Sequence, residues 1–255
     1  MKIVRYIGAS GPQFGIVENG VVSDLEGSPL SNPSKGREVG SLDSLKLAAP
    51  CTPGKIIAMG INFPGATGLT KTMKEPLVFL KAGTSVCGPQ DDIISPFGNL
   101  NIWGECELAV VVGKRLRNVN EAEARNGILG FTAANDVSAD NIEDWDHHLA
   151  RSKSADTFCP LGPWIDTEYS PLNRVIEGFQ NGELIRRGNS DERIWRDTHA
   201  IAWLSTWMTL EPWDVLLTGA PTRVVPRRYL KEGDEFVVRV DGLGELRNRF
   251  REKRS

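Results

Sequence analysis

Two glutamates separated by one residue, Glu105 and Glu107, carry the clearest chemical signal in the sequence. Side chains alternate between the two faces of an extended strand, so residues i and i+2 point the same way. The apolar run over residues 108–112 predicts a strand buried on both faces, which places both carboxylates at the mouth of a core strand. Like charges this close raise each other's pKa unless a cation neutralises them. A hard divalent metal, which prefers carboxylate oxygens, explains the pair most economically.

The alternative for a Glu-x-Glu pair alone is the solvated face of an antiparallel strand. A third acid, Asp136, follows Asn135 at the end of another apolar, β-prone stretch and favours the metal. Three carboxylates at the edges of core strands suit an octahedral Mg²⁺ or Mn²⁺ ion that keeps positions open for water or substrate. The sequence has no Cys/His cluster of the zinc type to compete with this interpretation.

Bulk properties favour an ordinary soluble protein. The chain has 255 residues, enough for one large β-rich domain or two smaller ones. Its formal net charge of -3 gives no reason to expect nucleic acid or a membrane as a partner. Four cysteines without CxxC spacing indicate neither a zinc site nor a disulfide framework. Without an apolar leader or a run of membrane-spanning length, we expect a reduced, cytoplasmic protein.

The predicted strands that position the acids belong to one of two predicted parts of the chain. Residues 1–50 are predicted to form a small N-terminal β domain and linker. Residues 2–25 give short strands broken at Gly11-Pro12 and at the hairpin signal Asn19-Gly20, and residues 26–53 are rich in Ser, Pro and Gly, with a helix-like patch at 42–47. Residues 55–250 form the main domain. Its predicted strands cover residues 55–60, 77–81, 108–112, 127–134, 164–165, 215–218 and 236–240.

Helices are few. Residues 120–125 start with a cap residue followed by acids, and residues 197–208 place apolar side chains at helical spacing. The basic tail over residues 247–254 is interpreted as a solvated terminus. A mixed α/β, β-dominated fold is therefore predicted.

Several strings follow one another in a fixed order: KIIAMGINF (55–63), PLVFLK (76–81), ECELAVVVGKRLRNV (105–119), NDVSA (135–139), KSADTFCPLGPW (153–164), MTLEP (208–212) and GLGELRN (242–248). Together they resemble the fumarylacetoacetate hydrolase family. The N-terminal segment resembles the small leading domain of many members. The resemblance implies a β-roll fold, commonly a homodimer, with the active site at the mouth of the roll.

By position, the resemblance makes Glu105, Glu107 and Asp136 ligands of Mg²⁺ or Mn²⁺. Lys153 matches a lysine beside the substrate, where its amine would hold a carboxylate or stabilise an enolate. Lys81, Asn62 and Thr218 are assigned to substrate binding. A metal-bound 2-oxo acid or 1,3-dicarbonyl compound would then undergo C–C cleavage, decarboxylation or tautomerisation through an enolate.

The chain departs from the family pattern at reactive positions. Alignment by spacing puts Ala66 and Leu69 where hydrolytic members carry a water-activating histidine and glutamate, and Asp140 where an arginine is usual. Ala220 replaces a threonine whose hydroxyl contacts substrate, and Trp213 replaces a turn glycine. Loss of a general base typically costs about 10²- to 10⁴-fold in rate. Non-hydrolytic enolate chemistry is therefore favoured over hydrolysis.

A replacement acid or base is sought nearby, among Asp140 and the segment 141–148. His148 and Asp140 join Lys153 as catalytic candidates, although histidines in a polar loop are usually only solvated. The leading hypothesis is a metal-dependent enzyme acting on a small oxo acid or dicarbonyl compound. The alternatives are a cyclase-like biosynthetic enzyme on the same scaffold and a non-catalytic binding homologue.

Overall fold

The computed structural model describes residues 1–66, 73–141 and 145–253, and β-strands dominate it. The strands are β1 Lys2–Gly8, β2 Gly11–Glu18, β3 Val21–Ser28, β4 Ser31–Ser41, β5 Leu47–Ala48, β6 Ile56–Gly60, β7 Leu77–Lys81, β8 Val86–Cys87, β9 Asp92–Ser95, β10 Ile102–Trp103, β11 Cys106–Val112, β12 Ile128–Asn135, β13 Ser138–Ala139, β14 Cys159–Asp166, β15 Val175–Gln180, β16 Glu183–Asn189, β17 Val215–Leu217, β18 Glu235–Val240 and β19 Gly244–Glu252. The helices are α1 Glu121–Gly127, α2 Ala150–Lys153 and α3 Asp197–Ser205, with short 3₁₀ turns at Leu42–Ser44, Gly83–Ser85 and Ser190–Glu192.

The N-terminal strands β1 to β4 form an antiparallel meander. Asn19 and Gly20, with φ of 50° and 78°, make the tight turn between β2 and β3, so the hairpin prediction is confirmed. The first break lies between Gly8 and Gly11, slightly before the predicted position. β1 also pairs with β14, so the meander continues directly into the large sheet.

No strand was predicted within residues 26–53, whose Ser, Pro and Gly content resembles that of a linker, yet the structure places strands there. β4 occupies Ser31–Ser41 and pairs with β3, and the helix-like patch is a single 3₁₀ turn followed by β5. β4 lies at the edge of the sheet with most of its side chains exposed. A strand without a buried face needs no apolar alternation, so its composition resembles that of a loop.

The large sheet runs in the order β4-β3-β2-β1-β14-β12-β11-β17-β6-β7, and a second sheet runs β16-β15-β18-β19-β9. β11 is buried along its whole length, as predicted. Leu108 and Val110 join the cluster that contains Val238 of the second sheet, whereas Ala109 and Val111 join a cluster on the opposite face. Each face of β11 is therefore covered by its own hydrophobic core.

The two helix predictions are confirmed with small shifts at their ends. Asn120 caps α1 in a reciprocal pair of hydrogen bonds with Glu123. α3 begins at Asp197 and ends at Ser205.

The C-terminal prediction is wrong, because residues up to Glu252 belong to β19. Asn248 and Phe250 are buried, while Arg247 and Arg249 alternate with them on the exposed face. The arginines conceal the period of two. The strands β9, β15 and β16 were not predicted either.

Candidate active site

The predicted carboxylates meet at one point. Glu105, Glu107 and Asp136 each offer an oxygen atom, and these atoms lie within 4.8 Å of one another. The register of β11 and β12 explains this: Cys106 lies opposite Asn135, so the start of one strand meets the end of the other. The backbone N–H of Asp136 donates to the carbonyl of Glu105 at 2.9 Å. The antiparallel ladder thus fixes the spacing of the acids.

Basic side chains from distant segments neutralise two of these acids. Lys153 Nζ donates to Asp136 Oδ2 at 2.5 Å and to Glu105 Oε2 at 3.2 Å. Lys81 Nζ donates to Asp136 Oδ1 at 2.6 Å. Arg186 Nη2 donates to Glu105 Oε1 at 2.6 Å. The cluster is therefore a buried network of three carboxylates with three cations.

The elements behind these cations are locally braced. Lys153 is the last residue of α2. The carboxylate of Asp146, just before this helix, accepts hydrogen bonds from the backbone N–H and the hydroxyl of Ser152 at 2.6 and 2.7 Å. Lys81 ends β7. Arg186 lies in β16, and its Nη1 also donates to the carbonyl of Pro221 at 2.6 Å.

Glu107 is neutralised differently. Among the described residues it has no ion pair, and its Oε2 accepts the backbone N–H of Gly219 at 2.6 Å. Burial, followed by the negative charges of Asp136 and Glu105, raises the pKa of Glu107 well above its usual range. Glu107 is thus the acid for which a bound cation would change the charge state most.

The pKa shifts of Glu105 and Lys153, in contrast, favour their charged forms. Burial by itself would raise the pKa of Glu105, but the cations of Lys153 and Arg186 outweigh it and lower that pKa to about 2. Burial by itself would lower the pKa of Lys153, but Asp136 and Glu105 outweigh it and raise that pKa above its usual range. These two carboxylates therefore favour the ammonium form of Lys153.

The donor set fits a hard divalent metal. The three side chains supply carboxylate oxygens alone, which Mg²⁺ and Mn²⁺ prefer. Each carboxylate oxygen offers two lone pairs, so the oxygens bound to Lys81, Lys153 and Arg186 can still coordinate a cation. Glu105 and Asp136 are already neutralised by basic side chains, so their burial does not require a metal. Glu107 has no such partner among the described residues, and a bound metal would neutralise it.

A turn after β17 closes the inner wall of the site. Gly219 has φ of +90°, and a Cβ there would lie 2.8 Å from Cβ of Asn62. Only glycine therefore lets this backbone N–H reach Glu107.

Asn62 and Thr218, predicted to bind substrate, support this turn. The amide of Asn62 donates to the carbonyls of Thr218 and Trp195 at 2.7 and 3.1 Å, and its Oδ1 accepts the N–H of Trp195. The hydroxyl of Thr218 donates to the carbonyl of Leu108 at 2.8 Å. Substrate contact by either side chain stays a prediction, since the polar atoms of both already serve backbone groups.

The acids face a cavity of about 590 Å³. Its apolar wall includes Met59, Leu77, Phe79, Trp103, Leu149 and Pro221, and Lys153 and Ala66 also line it. Lys81 lies behind Asp136 and is not part of the wall. Leu69 lies outside the described residues.

The structure does not bring Asp140 and His148 to this cavity. Asp140 accepts a hydrogen bond from the side chain of Asn101 at 2.7 Å, and its backbone N–H donates to the carbonyl of the same residue. The side chain of His148 is exposed, and its neighbour Leu149 lines the cavity instead. Catalytic roles for these two residues stay predictions without support from the geometry.

Sequence reasoning missed the arginines of the site. Arg186, Arg223 and Arg227 all line the cavity, yet they lie far from the acids in sequence and in no motif. Trp103, two residues before Glu105, was also missed as a wall residue. Its position beside a predicted site residue was the available signal.

The fold and the acid cluster agree with comparisons to known proteins. The C-terminal domain model of fumarylacetoacetate (FAA) hydrolase matches residues 55–251, and an Rv2993c-like N-terminal model matches residues 1–50. The chain therefore belongs to the fumarylacetoacetate hydrolase family.

Relatives and solved structures give the same result. A fumarylacetoacetate hydrolase domain-containing protein 2 homolog of Dictyostelium discoideum is 33% identical, with 97% of this chain and 96% of the relative covered. The mitochondrial oxaloacetate tautomerase FAHD2A of Homo sapiens is 36% identical over 79% of this chain and 68% of that protein. The crystal structure of 2-hydroxyhepta-2,4-diene-1,7-dioate isomerase from Mycobacterium marinum matches with a TM-score of 0.90 at 31% identity, covering 100% of both chains. Across the described residues, no helix is both long and apolar enough to cross a membrane.

Proposed function

We propose that this chain is a divalent-metal-dependent enzyme that interconverts keto and enol forms of a small 2-oxo acid or 1,3-dicarbonyl compound. The observation that carries the proposal is the carboxylate cluster of Glu105, Glu107 and Asp136, open to a cavity and closed on one side by Lys153. The tautomerase and isomerase named among the relatives support the same reaction type.

Glu105, Glu107 and Asp136 would hold Mg²⁺ or Mn²⁺. A bound divalent ion would act as a Lewis acid toward the oxygens of the substrate. The chain's own part is to present three carboxylates at the start of β11 and just after the end of β12, with the Gly219 N–H orienting Glu107.

Lys153 provides the second positive group of the site. Its ammonium lines the cavity and stays protonated, so it donates hydrogen bonds and does not accept a proton. A fixed cation next to an oxygen on which negative charge develops stabilises that charge in a water-poor site. This matches the removal of a proton from carbon next to a carbonyl.

Hydrolysis receives less support from the cavity wall. Ala66 lines the cavity at the position that the family resemblance gives to a histidine, and a methyl group cannot activate water. Among the described wall residues, the acidic side chains are the three proposed metal ligands themselves. Tautomerisation needs no attacking water: a solvent water in the cavity takes the proton from carbon, the enolate oxygen receives one in return, and no water oxygen is added to the substrate, so this wall suits tautomerisation better than hydrolysis.

The test combines metal analysis with a spectroscopic assay. Purified protein is analysed for bound metal and then mixed with oxaloacetate and with acylpyruvates, while enol absorbance and CO₂ release are followed. We expect bound or restorable Mg²⁺ or Mn²⁺ and faster keto–enol exchange without CO₂. CO₂ release would make the enzyme a decarboxylase, and acid release from acylpyruvates would make it a hydrolase. Absence of metal binding would contradict the proposal.

Assembly as a homodimer belongs to the same proposal, because members of the family that this chain joins commonly dimerise. Light scattering of the purified protein at several concentrations tests it. A monomer at all concentrations would contradict the homodimer.

A further inference from the structure

The direction of the Lys153 ammonium depends on α2, the short helix that ends at Lys153. An ammonium has three N–H donors, and Asp136 and Glu105 accept two of them. Because Lys153 also lines the cavity, the third donor is available to a ligand. The lysine stem is flexible, so the direction of that donor is fixed only if the backbone of Lys153 is held in place.

α2 is too short to be stable by itself. It has four residues, and a single turn forms too few internal hydrogen bonds to offset the cost of nucleating a helix. The N–H groups of Lys153 and Ser154 donate to the carbonyls of Leu149 and Ala150, both at 3.0 Å. Leu149, at the N-cap, has no side-chain acceptor for the first N–H groups of the helix. A group from outside the helix must therefore satisfy its first turn.

Asp146 supplies the missing acceptor. Its Oδ2 accepts both the backbone N–H and the hydroxyl of Ser152, at 2.6 and 2.7 Å. Burial by itself would raise the pKa of Asp146, but these two hydrogen bonds, followed by those from the backbone of Arg151 and Ala150, outweigh it and lower that pKa. One carboxylate thus serves the whole first turn of α2.

The turn that carries Asp146 is fixed as well. The N–H of Asp146 donates to Oδ1 of Asn141 at 2.9 Å, and its carbonyl accepts the N–H of Leu149 at 3.0 Å. Leu149 has a left-handed backbone with φ of 59°, which is strained for a bulky residue and persists only where the surroundings hold it. Its side chain lines the cavity, so this turn connects Asp146 to the cavity wall.

The other end of α2 is joined to the second lysine of the site. Ser154 Oγ accepts the backbone N–H of Ala82 at 3.1 Å, and Ala82 directly follows Lys81. Lys81 binds one oxygen of Asp136, and Lys153 binds the other. α2 is therefore held at its start by Asp146 and at its end by the segment that carries Lys81.

Asp146 acts on the cavity only through α2. It is not among the residues that line the cavity, and its Oδ2 is occupied by the two hydrogen bonds from Ser152. A general base must lie within hydrogen-bond reach of the proton that it removes, directly or through one water. The placement of Asp146 therefore suits a structural link to Lys153 and not a proton-transfer group.

We infer that Asp146 is a positioning residue, whose carboxylate holds the first turn of α2 and thereby directs the free N–H of Lys153 into the cavity. The inference rests on the proposed function and adds a residue that lies outside the strings shared with the family.

The experiment is a double-mutant cycle between Asp146 and Lys153, measured on metal-saturated protein in the keto–enol assay. Asp146→Ala should lower kcat by about 10- to 100-fold, because a small displacement of a positioned group costs that much. In the Lys153→Met background the same change should lower kcat by less than about twofold, because no ammonium is left to direct. Equal losses in the two backgrounds would mean that Asp146 acts on the fold in general, and would overturn the inference.

Asp146→Asn separates positioning from proton transfer. An amide oxygen can accept the same two hydrogen bonds from Ser152, and asparagine caps helices as well as aspartate does. This variant should therefore keep kcat within about threefold of wild type. An Asp146→Asn variant as slow as Asp146→Ala would make Asp146 a proton-transfer group and would contradict the positioning role.

Asp156→Ala is the matched control for loss of an acid near α2. Asp156 is exposed, lies three residues after Lys153 and has no side-chain hydrogen bond or ion pair within the part of the chain that the structure describes. Its substitution should leave kcat unchanged. A loss equal to that of Asp146→Ala would show that any negative charge near α2 has this effect, and would overturn the inference.

Binding of oxalate distinguishes failure of this inference from failure of the proposed function. Oxalate is a planar dianion that resembles the enolate of a 2-oxo acid, and calorimetry on Mg²⁺-loaded protein needs no turnover. Asp146→Ala and Lys153→Met should each weaken oxalate binding by about 10-fold, and their combination by less than about twofold more. This result without keto–enol turnover would contradict the proposed function and leave the positioning role standing. Additive losses, or an oxalate affinity that Lys153→Met leaves unchanged, would overturn the positioning role.

Discussion

The inner end of the cavity and the two wall arginines Arg223 and Arg227 carry charge in opposite ways. At the inner end, Glu105 and Asp136 are ion-paired in a buried network with Lys81, Lys153 and Arg186. Of the wall arginines, Arg227 lies over the ring of Trp103, and Arg223 is 3.9 Å from the carboxylate of Glu105. The inner end therefore presents carboxylate oxygens that suit a cation, whereas the wall arginines present guanidinium N–H groups without a close acidic partner.

The largest effect is expected from removing one charge at the inner end. Asp136→Asn keeps the shape but should abolish metal binding and turnover. It also leaves Lys81 without its carboxylate and Lys153 with Glu105 alone, at a cost of about 3–5 kcal/mol in the free energy of unfolding. Metal analysis, the oxaloacetate assay and urea unfolding measure the three effects.

Asp140→Asn is the control for this change. Asp140 is four residues away but bonds Asn101 outside the cavity, so metal content and rate should stay within about twofold of wild type. Loss of turnover with metal retained would make Asp140 catalytic, as the sequence suggested, and would extend the site beyond the cavity.

Substitution of each of the two lysines at the inner end should affect a different property, with kcat most sensitive to Lys153. Lys153 lines the cavity and Lys81 does not, although both bind Asp136. Lys153→Met should lower kcat by about 10²- to 10³-fold, the cost of removing one positioned donor. Lys81→Met should act on metal affinity and stability more than on kcat. Equal kcat losses in steady-state assays of metal-saturated variants would show that Lys153 acts only on the metal site.

A backbone change tests how the inner wall is held. Gly219→Ala places a Cβ 2.8 Å from the Asn62 Cβ at a φ of +90°, so the N–H to Glu107 must shift. We expect a loss of about 1–3 kcal/mol in the free energy of unfolding, together with weaker metal binding.

Gly233→Ala is matched to it, with φ of +85° and nothing near its Cβ. This variant should show the cost of positive φ alone, with unchanged metal affinity. Similar metal affinity in both variants would mean that the Gly219 turn does not orient Glu107.

The inner end should also couple metal binding to pH. Burial, followed by the charges of Asp136 and Glu105, raises the pKa of Glu107 well above its usual range in the metal-free protein. A metal ion binds the deprotonated carboxylate, so Mg²⁺ affinity should rise as pH increases toward and through that raised pKa, with release of protons on binding. Calorimetry in buffers of different ionisation enthalpy measures the release. Glu107→Gln should bind metal weakly and without this pH dependence.

The smallest effect is expected outside both regions. His148 is exposed and does not line the cavity, so His148→Gln should change kcat/KM for oxaloacetate by less than about twofold. A large loss of kcat/KM would instead indicate that His148 reaches the substrate during catalysis.

Much of the fold could be predicted from local pattern. The Asn19-Gly20 turn, the doubly buried β11 and the capped α1 each depend on a few adjacent residues, and each was found. β4 and β19 were missed because exposed edge positions and arginines hide the period of two. Their pairing depends on neighbours that the local sequence does not reveal.

The candidate site divides in the same way. The sequence by itself determined the carboxylates, because the spacing of Glu105 and Glu107 on one strand and the position of Asp136 after the next are local facts. The tertiary structure alone decided which cations meet them. Lys81, Lys153 and the arginines arrive from separate strands, a short helix and a loop, and long-range pairing sets which charges become neighbours. Burial, which shifts the pKa of Glu107 and leaves Arg227 exposed, likewise exists only in the folded chain.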